Sequence, residues 1–335
     1  MKRLGQARFP VSNYKFQHYS MLYEWNIVGH QQQLTRLESD IKTNNLSHAY
    51  LFSGPRQTGK FRIARIFASI LQCGDRFSIH SKLYKQIIAG GHPDTVLMKD
   101  DGDSLKIDTI RKMIVRVNLT TQSNYRLILI ENIERMPTEA QNSFLKTLEE
   151  PPDKTVFVLT TNRPNHVLPT IRSRVRHCQF FNVSDETLMD FLQKKFPRER
   201  AHFEEIINIA QGRPGLAISL VEHPEALSHQ RDMYAKIEEF FKRNNLANKF
   251  RFADEITDDS SDDHRQLDLF FDAFTRYLRK LLLEYTEQDH HPLKSRFGMN
   301  DIVNLFEYLE KTSYLIERNI NKKLALENLL IQTEK

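Results

Sequence analysis

The sequence contains very little cysteine, with only Cys73 and Cys178 among 335 residues. Two thiols so far apart in the chain cannot build the disulfide framework of a small secreted domain. They also cannot supply the four ligands of a structural zinc site. We therefore expect a reduced, cytoplasmic protein without zinc, in which both cysteines serve as small apolar side chains.

Glycine and proline are also scarce, at 11 and 12 residues, which argues against long flexible stretches. No apolar run reaches about 18 residues, so no contact with a membrane is expected. The basic first 20 residues are followed by no apolar core, which excludes a secretory signal. Two interpretations stay open for residues 1–24: a disordered N-terminal extension, or a chain that starts at Met21.

The overall composition is that of an ordinary soluble protein, long enough for two or three domains. The net charge of +5 is a mild basic excess that permits contact with nucleic acid. A dedicated DNA-binding regulator would carry a strong basic stripe or a recognisable reading helix, and the sequence shows neither. That function is therefore disfavoured.

Five short apolar segments alternate with helical patterns in the first half of the chain. They are rich in Val, Ile, Leu and Phe with little alternation, which is typical of strands buried on both faces. Apolar residues recur at helical spacing from Ile63 to Leu71, and a further helix is predicted from Pro137 to just before Pro151. The pattern predicts an α/β fold with a mainly parallel, doubly wound sheet. The predicted strands are 48–52, 95–98, 126–131, 155–160 and 176–181.

Beyond Val183 the sequence shows only helical patterns. Two short helices are predicted at 185–196 and 202–210, followed by a Gly-Arg-Pro-Gly break at 212–215. After Glu222 longer apolar stripes predict a helical bundle, and the acidic segment 254–263 is predicted to be a solvated loop. The stripes contain Phe270, Phe271, Phe274, Tyr277, Leu278, Leu281, Leu282 and Tyr285, and then Ile302, Leu305, Phe306 and Leu309.

The first predicted strand leads into a loop from Gly54 to Gly59, followed by Lys60 and a helix. This order is typical of a P-loop, in which main-chain N–H groups and a helix N-terminus surround phosphates and the lysine adds a positive charge. The alternative, a chance turn before an amphipathic helix, fits the flanking strand and helix less well.

The groups that ATP hydrolysis needs are missing from this pattern. Phe61 stands where a Ser or Thr hydroxyl would bind Mg²⁺, and Gln57 where a glycine would let the main chain approach phosphate. After the third strand, Glu131 and Asn132 replace an Asp-Glu pair. Glu131 is one methylene too long to hold Mg²⁺ in that role, and the Asn132 amide cannot accept a proton near neutral pH. We predict that the chain alone is not an ATPase, and that even nucleotide binding is doubtful.

Several motifs resemble those of bacterial clamp-loader proteins, an AAA+ family. They are HAYLFSGP at 48–55, HPD at 92–94, NSFLKTLEEPP at 142–152 and TIRSRV at 170–175. The segment RNINKKLALENLL at 318–330 is similar to the closing helix of the family's oligomerising collar. The resemblance covers roughly residues 25–331, and within the group it is strongest to the delta-prime subunits of DNA polymerase III.

The resemblance implies an AAA+ P-loop module at 25–182, a small helical lid at 183–222 and an all-α collar at 223–335. It also implies a place in a ring of subunits that opens a sliding clamp and sets it on primed DNA. The expected partners are the gamma/tau and delta subunits, the clamp, and primer–template DNA through the assembled complex. ATP and Mg²⁺ would be bound by neighbouring subunits, so no cofactor is expected in this chain.

The resemblance assigns an arginine finger, acting in a neighbour's site, to Arg174 beside Ser173. The family motif usually ends in cysteine, which Val175 replaces here. A guanidinium at a neighbour's γ-phosphate stabilises transition-state charge and is worth on the order of 10³–10⁵ in rate. The flanking Arg172 and Arg176 are candidates for structural or DNA-backbone contacts.

Two further departures from the family pattern concern zinc and the lid. Many relatives carry four zinc-binding cysteines after the P-loop helix, where this chain has only Cys73, and His80 and His92 do not restore the site. Active relatives also carry a sensor arginine in the lid. The matching position here is Gly215, and Arg213 lies two residues before it.

The alternative function within the family is that of a gamma/tau-like motor subunit that hydrolyses ATP itself. Phe61, Glu131 and Asn132 argue against this alternative, because they remove a Mg²⁺-binding hydroxyl, a Mg²⁺-binding aspartate and a general base.

Overall fold

The computed structural model describes residues 21–100, 105, 107–118, 120–242, 245–257, 263–286, 297–317 and 320–333. Most of the predicted N-terminal extension, residues 1–20, lies outside the described residues. So does the start of the collar motif at 318–319.

A parallel sheet occupies the centre of the first half of the chain. Its strands stand in the order β2-β3-β4-β1-β5, and all four pairings are parallel. Every residue of β1, β3 and β4 is buried, whereas the edge strands β2 and β5 are partly exposed. The five strands are β1 (Ala49–Ser53), β2 (Thr95–Met98), β3 (Arg126–Ile130), β4 (Thr155–Thr161) and β5 (Arg176–Gln179).

Helices cover both faces of this sheet, because alternate residues of each strand point to opposite sides. Tyr50 and Phe52 of β1 pack with Phe67 on one face, and Leu51 packs with Phe157 on the other. The helices of this half are α1 (Gln31–Lys42), α2 (Lys60–Cys73), α3 (Lys82–Ala89), α4 (Ile107–Val117), α5 (Thr138–Glu149) and α6 (Pro169–Arg172).

From residue 183 onward the described residues contain helices and no strand. A small apolar cluster unites α7 to α9 with the first turn of α10, and a larger aromatic-rich cluster unites α10 to α14. The helices are α7 (Asp185–Lys195), α8 (Phe203–Ala210), α9 (Pro214–Glu222), α10 (Pro224–Lys242), α11 (Leu246–Thr257), α12 (Asp263–Thr286), α13 (Met299–Glu317) and α14 (Lys322–Ile331).

These elements confirm the predicted fold class, a parallel α/β sheet followed by helices. The domain boundaries at 182 and 222 stay predictions. Leu227, which follows the second boundary, packs into the smaller cluster with Leu188. Among the described helices, none combines the length and the apolar character that a membrane span needs.

Two local predictions differ from the structure by two residues or more. The strand predicted to reach 181 ends at Gln179, although Phe180 still donates its main-chain N–H to Ser53 (2.7 Å). The acidic segment predicted as a loop from 254 is still helical through Thr257, because Phe252, Ala253 and Ile256 place α11 in the apolar cluster. Residues 258–262 lie outside the described part of the chain.

A buried ion pair joins the N-terminal ends of β2 and β3. Arg126 lies 3.0 Å from Asp94, and both side chains are 5% exposed. The second Asp94 oxygen accepts main-chain N–H groups of Gln122 and Ser123, and Arg126 also donates to carbonyls at the end of α4. Burial alone would raise the pKa of Asp94, but the hydrogen bonds from Arg126 and from this loop outweigh it and lower the pKa.

We expect Arg126→Met to lower the free energy of unfolding by about 3–5 kcal/mol, since it leaves the Asp94 carboxylate buried without its cation. The matched control is Arg111→Met, because Arg111 and its partner Asp108 are both largely exposed. It should cost no more than about 1 kcal/mol. Urea unfolding of the two variants measures the difference, and equal losses would contradict the structural role of the pair.

Candidate functional site

The carboxyl ends of β1, β3 and β4 bring the predicted nucleotide-site residues together. Strands β1 and β4 are neighbours, and β3 pairs with β4 on its other side. In a parallel sheet these ends meet at one edge, where ligands of open α/β folds bind. The loop Gly54–Gly59, the pair Glu131–Asn132 and Asn162 therefore share one edge.

The loop after β1 has positive φ angles at both glycines of the predicted P-loop. Gly54 adopts φ +147°, and a Cβ there would lie 2.3 Å from the main-chain oxygen of Phe180, so only glycine fits. Gly59 caps α2 with φ +91°. Gln57 also has a positive φ, +59°, at the position where the sequence departs from glycine.

Lys60 is engaged by the protein itself. Its side chain is 5% exposed, and its Nζ donates to the carbonyl of Pro55 (2.6 Å) and to Oδ1 of Asn162 (2.9 Å). Burial lowers the pKa of Lys60 to about 8, and the nearby Glu134 carboxylate opposes this shift only in part.

Asp100, two residues beyond the end of β2, contacts both residues that follow β3. Asn132 donates from Nδ2 to Asp100 (2.6 Å) and accepts from Nδ2 of Asn162 (2.7 Å). Glu131 accepts the main-chain N–H of Asp100 (3.1 Å), and burial raises the pKa of Glu131. Phe61, the other altered position, is half-buried and packs against the apolar cluster on its face of the sheet.

The P-loop also contacts the helices that follow the sheet. The main-chain N–H of Gly215, in the first turn of α9, donates to the carbonyl of Gln57 (2.8 Å), and a Cβ at Gly215 would meet the same oxygen at 2.8 Å. Arg56 of the loop lies 2.7 Å from Asp268 on α12, in an exposed ion pair.

The predicted finger residues lie elsewhere, in the turn between α6 and β5. Arg174 pairs with Glu149 at the end of α5 (2.7 Å) and donates to Thr170 and to Oγ of Ser173. Its side chain is 37% exposed, and surface ion pairs of this kind contribute little to stability. The turn therefore presents Arg174 at the surface, where its weak ion pair with Glu149 can be replaced by another anion.

The two flanking arginines differ from Arg174 and from each other. Arg176 is tied to the body of the sheet, because it pairs with Asp40 (2.6 Å), donates to the carbonyl of Asn45 and lies over the ring of Tyr50. Arg172, at the end of α6, is exposed. A structural role therefore suits Arg176 better than Arg172.

Comparison with known proteins finds similarity to DNA polymerase III subunits. A family model described as DNA polymerase III, delta subunit, matches residues 29–184. The delta-prime subunit of Pseudomonas aeruginosa is 28% identical over 312 residues, covering 85% of this chain and 91% of the relative. That of Bacillus subtilis is 35% identical over 160 residues, covering 47% and 49%. The chain is therefore similar to a bacterial DNA polymerase III delta-prime subunit over most of its length.

The family resemblance drawn from the sequence is thereby confirmed. The chain is also similar to the Bacillus subtilis tau subunit, at 30% identity over 218 residues, covering 62% of this chain and 38% of tau. It spans less than two thirds of the length of the tau and gamma relatives that it matches.

Arg213, two residues before the predicted sensor position Gly215, is paired with an acidic residue of the helical bundle. It lies 2.8 Å from Asp272 on α12 and is 12% exposed, and its Nε donates to the carbonyl of Ala210. The guanidinium therefore joins the segment before α9 to helix α12. The assignment of the sensor position to Gly215 stays a prediction.

Both cysteines are free thiols, Cys73 half-buried and Cys178 buried. Burial raises the pKa of both, that of Cys178 to about 11, so both are protonated near neutral pH. Within the described part of the chain no group of His, Cys, Asp or Glu has the arrangement of a metal site. The absence of zinc stays a prediction.

Sequence reasoning missed three residues of this region. Asn162 directly follows β4, and Asp100 lies two residues beyond β2, so both stand at the carboxyl edge of the sheet. A search for polar residues just after buried strands would have found them. Asp272 lies between Phe271 and Phe274 in an apolar stripe, and nothing in the sequence marks its partner.

We expect the Arg213–Asp272 pair to show a coupling free energy of about 1–2 kcal/mol, because it is partly buried and hydrogen-bonded. A double-mutant cycle with Arg213→Ala and Asp272→Ala, followed by urea unfolding, measures this coupling. The exposed pair Arg56–Asp268 is the control and should give less than about 1 kcal/mol. Purely additive losses at Arg213 and Asp272 would show that the contact does not hold the lid to α12.

Proposed function

We propose that this chain is a delta-prime-like subunit of the DNA polymerase III clamp loader and helps to set the sliding clamp on primed DNA. Its nearly full-length similarity to a delta-prime subunit supports this function. In this proposal its partners are the gamma/tau and delta subunits, the clamp, and primer–template DNA through the assembled complex. Its place of action is the cytoplasm.

The non-catalytic part of the proposal rests on a P-loop that lacks the side chains needed to bind Mg²⁺ and to activate water. The loop main chain is intact, yet Phe61 packs against the sheet where a Mg²⁺-binding hydroxyl is required. Asn132 has no basic group, and Lys60 already makes two hydrogen bonds within the chain. ATP and Mg²⁺ would then be bound only by neighbouring subunits.

A gamma/tau-like motor is the second candidate, and the similarity to tau favours it. It requires a hydroxyl beside Lys60 and a base after β3, and Phe61 and Asn132 offer neither. The delta-prime function fits the altered residues better.

We also propose the division into an AAA+ module at 25–182, a lid at 183–222 and a collar at 223–335 that carries assembly. Apolar side chains exposed on the bundle helices support this role for the collar, since large exposed apolar groups are typical of interaction surfaces. They include Met299, Val303, Leu324 and Ile331.

The isolated chain should show no Mg²⁺-dependent ATP hydrolysis, because both the metal-binding hydroxyl and the general base are missing. Steady-state phosphate release measures this, with the loader's ATP-binding subunit as a positive control. Turnover of about 1 s⁻¹ or more that disappears in a folded Lys60→Ala variant would overturn the non-catalytic proposal and favour the motor function.

In the assembled loader, Arg174→Ala should slow clamp- and DNA-stimulated ATP hydrolysis while the complex still forms. The guanidinium is half-exposed and its pair with Glu149 adds little stability, so the fold should survive. The loss should be partial, because other subunit boundaries keep their own arginines. Arg174→Lys should rescue poorly, since lysine lacks the planar, forked donor set.

Arg172→Ala is the matched control for that variant, because Arg172 is exposed on the same turn. Arg176→Ala is a less suitable control, because it removes the partner of Asp40 and should lower stability. Normal hydrolysis in Arg174→Ala with a loss in Arg172→Ala would move the finger to Arg172. No loss in any of the three variants would remove the finger from the proposal.

A further inference from the structure

A chain of side-chain hydrogen bonds crosses the carboxyl edge of the sheet. Lys60 donates to Oδ1 of Asn162 (2.9 Å), Nδ2 of Asn162 donates to Oδ1 of Asn132 (2.7 Å), and Nδ2 of Asn132 donates to Asp100 (2.6 Å). It links residues that follow β2, β3 and β4 to the first residue of α2. We call this chain the amide relay.

The amide relay has a direction. It begins at an ammonium group, which can only donate, and it ends at a carboxylate, which can only accept. Each of the two positions between them must therefore accept on one side and donate on the other. A primary amide does both, whereas an ionised carboxylate at position 132 could accept from Asn162 but could not donate to Asp100.

Several charged groups surround Asn132 and fix the electrostatics of the relay. Asp100 is paired with Arg135 through its second oxygen (2.8 Å). Glu134 accepts the main-chain N–H of Asn162 (2.9 Å). A carboxylate at 132 would face the Asp100 carboxylate directly, with no donor between the two. The carboxylates nearby are Asp100, Glu131 and Glu134, and the cations are Lys60, Arg65, Lys99 and Arg135.

We propose that Asn132 is a positioning residue that links Asn162 to Asp100 and thereby holds Lys60 against the carbonyl of Pro55. In this view the amide at 132 is more than the loss of a base, because it does a task that a catalytic carboxylate could not do. The P-loop lysine becomes part of the internal structure of the chain. This role of Asn132 belongs to the isolated chain and does not depend on clamp loading.

The first test is Asn132→Asp, which keeps the size and the acceptor but replaces the donor by a second negative charge beside Asp100. At pH 7 its melting temperature should fall several degrees below that of the parent chain. Two adjacent carboxyls share a proton, so the pKa of the pair is raised in the folded state. The folded variant then binds more protons than the unfolded one, and its deficit should shrink as the pH falls toward about 5.

Asn182→Asp is the control for this pH profile, because Asn182 is exposed and its amide donates only to a main-chain carbonyl, that of Gln211. It should melt close to the parent chain at both pH values. The proposal would be overturned if Asn132→Asp melted at the same temperature as the parent chain at pH 7. It would also be overturned if the difference in melting temperature did not change with pH.

The second test reverses the donor and the acceptor in the hydrogen bond between residues 132 and 100. In the double variant Asp100→Asn with Asn132→Asp, the amide at 100 can donate to the carboxylate at 132, with no change in total charge. The double variant should melt above the Asn132→Asp single variant. Additive losses from the two substitutions would show that the residues do not act as a pair.

The third test follows Lys60 directly, by NMR titration of the lysine side chains in Asn132→Ala. Loss of the relay should move the titration midpoint of Lys60 by about one pH unit or more, which corresponds to about 1.4 kcal/mol. Release into solvent would raise the midpoint, and continued burial without the Asn162 acceptor would lower it. An unchanged midpoint in a folded variant would mean that Asn132 does not position the lysine.

Discussion

The parallel pairing of β1 with β4 is the contact on which the candidate site depends. Its register sets Ser53 opposite Thr161, so that the P-loop and Asn162 leave the sheet side by side. The main-chain N–H of Gly54 donates to Thr161 (3.2 Å) and extends this pairing into the loop. A shift by one residue would turn the strand's side chains to the opposite face and separate Lys60 from Asn162.

The burial of Lys60 at the carboxyl edge of the sheet explains why its ammonium group is hydrogen-bonded within the chain. A lysine removed from water must find acceptors, because an unpartnered buried ammonium is costly. In a P-loop that binds a nucleotide, phosphates meet this need. Here a carbonyl and an amide meet it, and the positive charge is partly balanced at a distance by Glu134 and Glu131. The pKa of Lys60 reports this arrangement, since neutral acceptors offset burial less well than an adjacent anion would.

Sequence reasoning found the parts of the molecule that local patterns specify. The strands and the P-loop were predictable because burial on both faces leaves continuous apolar runs, and because the loop needs glycine at particular positions. The contacts of Asn162 and Asp100 were not predictable, because they depend on the order of strands in the sheet, which hydrophobic periodicity does not encode. The acidic end of α11 was misread as loop, since its buried aromatic face outweighs the charges on the other side.

Helix α12 places two carboxylates one turn apart, Asp268 and Asp272, which hold the P-loop through Arg56 and the lid through Arg213. With 24 residues the helix is about 36 Å long. A single turn of this helix therefore contacts both the loop after β1 and the segment before α9. Any displacement of this turn of α12 relative to the sheet therefore has to break both ion pairs or move both segments with it.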